Sequence, residues 1–291
     1  MMKRLLIVGC GDVAVRMIPA LAGRYRMYAL TRSDSGPRQL RDYGVTPIRG
    51  DLDAADSLDR LSGIAHDVVH LAPPPVTGTR DTRTTNLIRS LSKSARLPQR
   101  LVYISTSGVY GDCRGDWVAE TRPLDPQSDR ARRRVDAEGQ LRAWGLSHRV
   151  QIVVLRVPGI YAADRLPLER LAARTPTLAS EDDAFTNHIH ADDLARIVIA
   201  ALSRGRGGRA YNATDDSAMK MGDYFDLVAS RFGLDLPPRI SWREAQGRIP
   251  ASLLSFMRES RRLINDRLKR ELRVRLRYPT VAHGLPAALT G

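Results

Sequence analysis

Short, mostly apolar runs recur through the first half of the chain, separated by stretches with helical spacing. Leu5–Val8, Met27–Leu30, Val45–Ile48, Asp67–Leu71, Leu101–Ile104 and Val150–Arg156 have the length and continuity of strands buried on both faces. Between them, helices are predicted from Asp12 to about Ala22, then over Gly36–Tyr43, Ala55–Leu61, Thr82–Ala95 and Ser128–Trp144. This alternation predicts an α/β fold, a doubly wound parallel sheet with right-handed crossovers. Beyond Arg156 the pattern loosens at Pro158, Gly159, Pro167 and Pro176. A helix at Ala191–Leu202 and a strand at Arg209–Asn212 are expected to return to the main sheet. Met221–Phe232 reads as a helix with Phe225, Val228 and Phe232 on one face, and Ser252–Leu272 as a mostly helical, strongly basic segment. Pro279 and Gly284 break the tail. Two domains follow: residues 1–156 with about 188–214 form the sheet domain, and about 157–187 with 215–291 form a smaller C-terminal substrate lobe.

The stretch Leu5–Arg16, LLIVGCGDVAVR, joins the first strand to the first helix through a glycine turn. Gly9 permits the tight turn, Gly11 lets a pyrophosphate approach the backbone, and Ala14 is small enough for close packing of helix on strand. The N–H groups opening the helix at Asp12 and Val13 would face the phosphates. With a strand before it and a helix after it, the stretch reads as a Rossmann-type dinucleotide turn, the alternative being a plain βα turn. Ligands of such sheets lie beyond the C-terminal strand ends, which here are Gly9, Arg32, Asp51, Ala72, Thr106 and Arg156. The second strand ends in Thr31-Arg32-Ser33, with no acid before Asp34. An acid there would hold the adenosine 2′-hydroxyl, whereas an arginine accommodates a 2′-phosphate. NADP(H) is therefore expected in preference to NAD(H), the alternative being that Arg32 is a surface charge. Pro73, Pro74 and Pro75 stiffen the exit of the fourth strand.

The 291 residues carry a net charge of +14. The arginines behind it are spread along the whole chain, and only Lys3, Lys93, Lys220 and Lys269 are lysines. No motif turns this charge into a nucleic-acid site, so no nucleic-acid partner is expected. No apolar run approaches the length that crosses a bilayer, and the short apolar stretch after Lys3 and Arg4 leads straight into the fold. A cytoplasmic protein without membrane association is the expectation. Cys10 and Cys113 stand apart, with no spacing that implies a disulfide or a metal.

Several segments carry a resemblance. Val102–Gly111, VYISTSGVYG, is similar to the fifth-strand motif of the extended short-chain dehydrogenase/reductase superfamily, in particular the NAD-dependent epimerase/dehydratase family. Gly50-Asp51-Leu52 resembles its adenine-contacting turn, and His70-Leu71-Ala72 its motif beside the cofactor. Arg156–Tyr161 resembles the turn after strand six, Asn187–Ala195 the helix start that follows, and Arg270–Pro279 with Gly284-Leu285 the C-terminal ending. The resemblance implies a dinucleotide held by Asp51, Leu52, Leu71, Ala72, Pro73, Ser105, Val157, Pro158 and Gly159, besides the glycine turn. It also implies a Ser/Thr, Tyr and Lys acting together, the last two four residues apart on one helix face. Thr106 fills the first position. The Tyr and Lys positions fall on Arg130 and Arg134, Arg130 lying 24 residues after Thr106. Arg134 keeps the charge and can hold ribose hydroxyls. Arg130 cannot act as a tyrosine-like acid, because guanidinium does not release its proton, but it can grip carboxylate or phosphate through two parallel hydrogen bonds. Arg132 and Arg133 are left open between a solvated face and the site.

Tyr110, Tyr161 and His188 are the candidates to replace the missing proton donor, with Tyr161 and His188 on the substrate side. Packing, for the tyrosines, and backbone hydrogen bonding, for His188 and His190, are the competing roles. Two functions stay open. One is an NADP(H)-dependent oxidoreductase or epimerase with an atypical active site and a small, anionic substrate. The other is a non-catalytic NADP(H)-binding redox sensor. Many proteins of the resembled family are dimers, so a homodimer is an open expectation.

Overall fold

The computed structural model describes residues 2–32, 38–249, 254 and 257–286. Seven strands form one parallel sheet: β1 (Lys3–Val8), β2 (Tyr25–Thr31), β3 (Thr46–Arg49), β4 (Asp67–His70), β5 (Arg100–Thr106), β6 (Gln151–Val157) and β7 (Ala210–Asn212). Their order across the sheet is β7-β6-β5-β4-β1-β2-β3, all parallel. The chain therefore reverses its winding between β1 and β4. Such a reversal leaves a crevice outside the carboxyl ends of the strands. The principal helices are α1 (Asp12–Leu21), α2 (Arg38–Asp42), α3 (Thr82–Leu91), α4 (Asp129–His148), α5 (Ala191–Arg204) and α6 (Met221–Arg231). None of the helices is long and apolar enough to cross a membrane among the described residues.

Strand alternation builds two cores. Leu5 and Ile7 of β1 point to one face, where α1 supplies Met17 and Ile18 and α5 supplies Leu194, Ile197 and Val198. Leu6 and Val8 point to the other face, against Leu87 and Leu91 of α3 and Leu141 and Trp144 of α4. The run Leu5–Val8 is uninterrupted because both faces are covered. A third cluster, outside the sheet, joins Tyr161 and Leu171 to Tyr224, Phe225 and Val228 of α6 and to Val281 and Leu285. Phe225 and Val228 thus lie together as their spacing predicts, with Phe232 packed alongside. Asp193 fastens the tail to the sheet domain by accepting from the backbone N–H of Arg277 (2.9 Å) and Tyr278 (2.7 Å).

Three segments depart from the sequence reading. Ala55–Leu61 is a 3₁₀ helix rather than an α-helix, as suits so short a connector. α4 runs on to His148 and ends at Arg149, which adopts a left-handed φ of 58°. The largest difference is at 252–272. Positions 252, 253, 255 and 256 lie outside the described residues. The described part beyond Met257 holds only the short helix Asp266–Glu271. Before it, Arg262–Leu263 pairs as a strand with Trp117–Val118. The Ser260 carbonyl accepts from Cys113 and Gly115, and Asn187 clamps Arg261 and Leu263. These long-range bonds outweigh the local helical tendency.

α4 and β6 are tied by a buried ion pair. Arg156 donates to both carboxylate oxygens of Glu138, at 3.2 and 2.9 Å, with the two residues 4% and 2% exposed. Burial alone would lower the Arg156 pKa, but the Glu138 carboxylate raises it above the usual guanidinium value. Removing one member leaves a buried charge without its partner. Glu138→Ala is therefore expected to cost about 3–5 kcal/mol in chemical denaturation; an unchanged denaturation midpoint would contradict this pairing.

Candidate functional site: two cavities at the strand ends

The first cavity, of 410 Å³, is lined by Gly9, Cys10, Leu30, Thr31, Arg32, Gly50, Asp51, Leu52, Ala72, Pro73 and Arg83. The glycine turn shapes it. Gly9 has φ +97°, and a Cβ added there would lie 2.4 Å from the Ala72 nitrogen. A Cβ on Gly11 would meet nothing within 4 Å, so this glycine borders open space. Gly11 caps α1 without any side-chain hydrogen bond, and the uncapped N–H groups and helix dipole favour an anion at that end. The Leu71 and Ala72 amides both donate to the Val8 carbonyl, locking the β4 exit beside the turn. Asp51 is held through its backbone N–H, which donates to Ser57 Oγ (2.8 Å). Arg83 forms a fork onto both oxygens of Asp53 at 2.8 and 2.6 Å and closes one wall. A dinucleotide fits this donor set: a bare helix start for pyrophosphate, a side-chain-free approach at Gly11 and an apolar slot at Leu30, Leu52 and Ala72.

The second cavity, of 370 Å³, lies beyond β5 and β6. Thr106, Ser107 and Gly108 form its floor. Pro158 and Gly159, Phe185–His188, Met221, Tyr224 and Phe225 form its walls, and Arg130, Arg170, Arg261 and Glu259 bring charge. Glu259 pairs with Arg261 at 2.9 Å. A Cβ placed on Gly108 would be 3.7 Å from both Thr106 Oγ1 and Glu259 Oε2, so hydroxyl and carboxylate flank one small space. Burial lowers the Arg130 pKa below the usual guanidinium value, and the charge of Glu259 opposes that shift. Arg170 lies over the Phe225 ring at 4.3 Å. His188 is buried, stacks on Tyr224 at 4.2 Å, and is kept neutral by a pKa pushed down to about 3.

Residues 6–214 match the NAD dependent epimerase/dehydratase family. The chain belongs to this family. It is 25% identical over 278 residues to the dTDP-glucose 4,6-dehydratase of Mycobacterium tuberculosis, with 81% of this chain and 83% of the relative covered. It is 26% identical over 251 residues to 4-hydroxy-2-methyl-3-oxo-4-farnesyl-3,4-dihydroquinoline-1-oxide ketoreductase of Stigmatella aurantiaca, covering 80% and 74% of the two chains. Among solved structures, a functionally unknown conserved protein from Silicibacter pomeroyi superposes with a TM-score of 0.77 and 28% identity, covering 97% of this chain and 96% of that one.

Within this epimerase/dehydratase scaffold the residues picked out from sequence separate into groups. Gly9, Arg32, Asp51, Leu52, Ala72 and Pro73 line the first cavity, with Gly11, Asp12 and Val13 opening α1 beside it. The Asp12 carboxylate is taken up by Arg16 (2.7 Å) and Arg165 (3.1 Å). Leu71 packs against the core. Thr106, Arg130, Pro158, Gly159 and His188 line the second cavity. Val157 is buried in the sheet core, and Ser105 is buried with an Oγ that has no partner among the described residues.

Three expectations need correction. Tyr110 is 1% exposed, and its hydroxyl donates to Asn212 Oδ1 (2.7 Å) while accepting from Arg156 (2.9 Å). It holds the α4–β6 network together and does not reach the cavity as a proton donor. Tyr161 is equally buried, with its hydroxyl donating to the Thr280 carbonyl (3.2 Å), and so is not on the substrate side. Arg134 does not face the second cavity with Arg130. Its Nη1 donates to Tyr103 Oη (3.0 Å) and to the Ile104 carbonyl (2.7 Å), at the end of β5. Of the pair left open, Arg133 is buried, 6% exposed, and donates to the Gly78 carbonyl, whereas Arg132 is exposed and paired with Asp129. His190, as its competing role anticipated, caps α5 by accepting from the Asp192 amide.

Arg170, Glu259, Arg261 and the Tyr224–Phe225 wall were not picked out from sequence. They come from three distant segments with no shared motif. The helix that carries Tyr224 and Phe225 was read from its spacing, but as core packing, and at 259–261 the local signal, helical spacing, was the wrong one. Among the described residues no three His, Cys, Asp or Glu side chains gather as a metal site.

Gly9→Ala is expected to abolish detectable dinucleotide binding and to cost ~1–3 kcal/mol from backbone strain alone; wild-type binding in that variant would contradict the tight turn. Asp215 offers a pH test of the same region. Its amide donates to the His188 carbonyl, its Oδ2 is buried without a partner among the described residues, and burial pushes its pKa up to about 7. A carboxyl with a raised folded-state pKa stabilises fully below its ordinary range and loses that contribution as pH rises through 7. Asp215→Asn should therefore have a higher Tm than wild type at pH 8, with the difference shrinking toward pH 4. Equal Tm values at pH 8 would contradict it.

Proposed function

We propose that the chain is an NADP(H)-preferring oxidoreductase or epimerase-like enzyme acting on a small, anionic substrate with proton chemistry unlike the family's tyrosine pattern. The observation that carries this reading is the pair of cavities at the ends of the same parallel strands, one against the glycine turn and one beside Thr106 and Arg130. The bound dinucleotide would supply the hydride donor or acceptor. Gly9, Gly11 and the α1 amides would hold its pyrophosphate, and Leu30, Leu52 and Ala72 would border the adenine.

The preference for NADP(H) rests on Arg32. β2 ends in Thr31-Arg32, both lining the first cavity, and no carboxylate stands at that strand end among the described residues. A guanidinium there matches a 2′-phosphate in charge and in fork geometry. On the substrate side, Thr106 is placed to hydrogen-bond a reacting oxygen, and Arg130 stands where the family pattern has its tyrosine. Arg130 binds charge and donates hydrogen bonds but does not exchange a proton. The missing tyrosine also favours a second reading, a non-catalytic NADP(H)-binding redox sensor.

Calorimetric titration with NADPH and NADH tests the cofactor reading. Wild type is expected to bind NADPH at least tenfold more tightly, and Arg32→Glu should abolish or reverse that ratio. Equal affinities in wild type would overturn the preference, and failure of both nucleotides to bind would overturn the function. Cofactor oxidation over a panel of anionic carbonyl compounds then separates the enzyme, which turns over, from the sensor, which does not.

A further inference from the structure

The wall of the second cavity is rich in guanidinium groups. Among the described residues lining it, three guanidiniums face a single carboxylate. Arg261 is only 8% exposed, and its Nη1 donates to the Gly111 carbonyl and to Glu259. Its Nε has no partner among the described residues, and neither has the buried Nε of Arg170 nor the Nδ1 of His188, itself 5% exposed. Buried polar nitrogens without partners are costly, and each of these belongs to a residue of the cavity wall. The remaining wall is apolar and aromatic, with Met221, Tyr224 and Phe225 on one side and Phe185 on another.

We propose that this cavity binds a compact organic oxyanion, its anionic head on Arg130, Arg170 and Arg261 and its apolar body against Met221, Tyr224 and Phe225. The inference rests on reading this cavity as the substrate side, and it adds the substrate class. Three arginines rather than lysines suit the task, because a planar guanidinium presents paired donors to a carboxylate or phosphate. Glu259 offsets one of the three positive charges and holds Arg261 in place. It also faces the space beside Thr106, where a hydroxyl of the ligand could donate to it. A volume of 370 Å³ is at the small end of ligand sites, which favours a single compact molecule.

Calorimetry on the full chain tests this with three probes sharing an aromatic body: phenylacetate, phenyl phosphate and 2-phenylethanol. At least one of the two anions should bind saturably, and the uncharged alcohol at least tenfold more weakly. The stronger anion identifies the head group as carboxylate or phosphate. Arg130→Met and Arg170→Met should each weaken the anion roughly tenfold or more, while Arg132→Met, outside the cavity, should leave it unchanged. Arg170→Gln replaces Arg170→Met if the latter does not fold, as judged by circular dichroism. The proposal is overturned if neither anion binds, if the alcohol binds as well, or if the cavity variants bind like wild type. NADPH titration of the same samples keeps the two readings apart. Anion binding without NADPH binding refutes the cofactor function and leaves the anion site standing; the reverse result refutes the anion site alone.

Discussion

The close approach of Gly9 to Ala72 sets the geometry of the functional end of the molecule. A positive φ and a 2.4 Å approach leave no room for a side chain at Gly9. With both Leu71 and Ala72 bonded to the Val8 carbonyl, the exits of β1 and β4 are pinned together at the point where the sheet order reverses. The crevice that a doubly wound sheet leaves there becomes a defined cavity. α1 starts from it with bare amides, and Arg32 and Asp51 arrive on the neighbouring strands. Membership of the NAD dependent epimerase/dehydratase family accounts for this half of the site.

The other half is assembled differently. Thr106 ends β5 and Ser107 and Gly108 open the 3₁₀ turn that follows it, but the opposite wall comes from the segments around Arg170, Phe185–His188, α6 and Glu259–Arg261. Asn187 joins two of them by donating to the Arg261 carbonyl and accepting from the Leu263 amide. Its neighbour His188 is buried and neutral in the wall itself. The result concentrates guanidinium groups beside a hydroxyl and a carboxylate. Proton exchange at Arg130 is ruled out by its chemistry, and charge recognition is what an arginine there does well.

The sheet domain was legible because its signals are local. Unbroken apolar runs, strand-to-helix turns and the glycine spacing each occupy fewer than about twenty residues, and they agree with one another. The residues that line the first cavity were reached through the glycine turn, the strand ends and the family resemblance together. The substrate side was only partly legible. Thr106 and Arg130 were singled out through the family resemblance, but nothing local marks Glu259 and Arg261. Their segment has helical spacing and is extended in the fold because Asn187, Gly115 and Trp117–Val118 supply its hydrogen bonds. Tyr110 and Tyr161 were misread for a related reason. A tyrosine beside a motif looks available for chemistry until its hydroxyl is seen bonded to Asn212 or Thr280 from a distant segment. Arg134 was separated from Arg130 by Tyr103 and Ile104, acceptors that helix periodicity does not report.

The central claim is that the cofactor end follows the family while the substrate end is rebuilt around arginine. A crystal structure of the chain with NADPH tests it most directly. The account predicts pyrophosphate on the Gly9–Asp12 turn, the 2′-phosphate beside Arg32, and the nicotinamide ring opening toward Thr106 and Arg130. A dinucleotide bound elsewhere, or a nicotinamide ring directed away from the arginine-lined cavity, would contradict it.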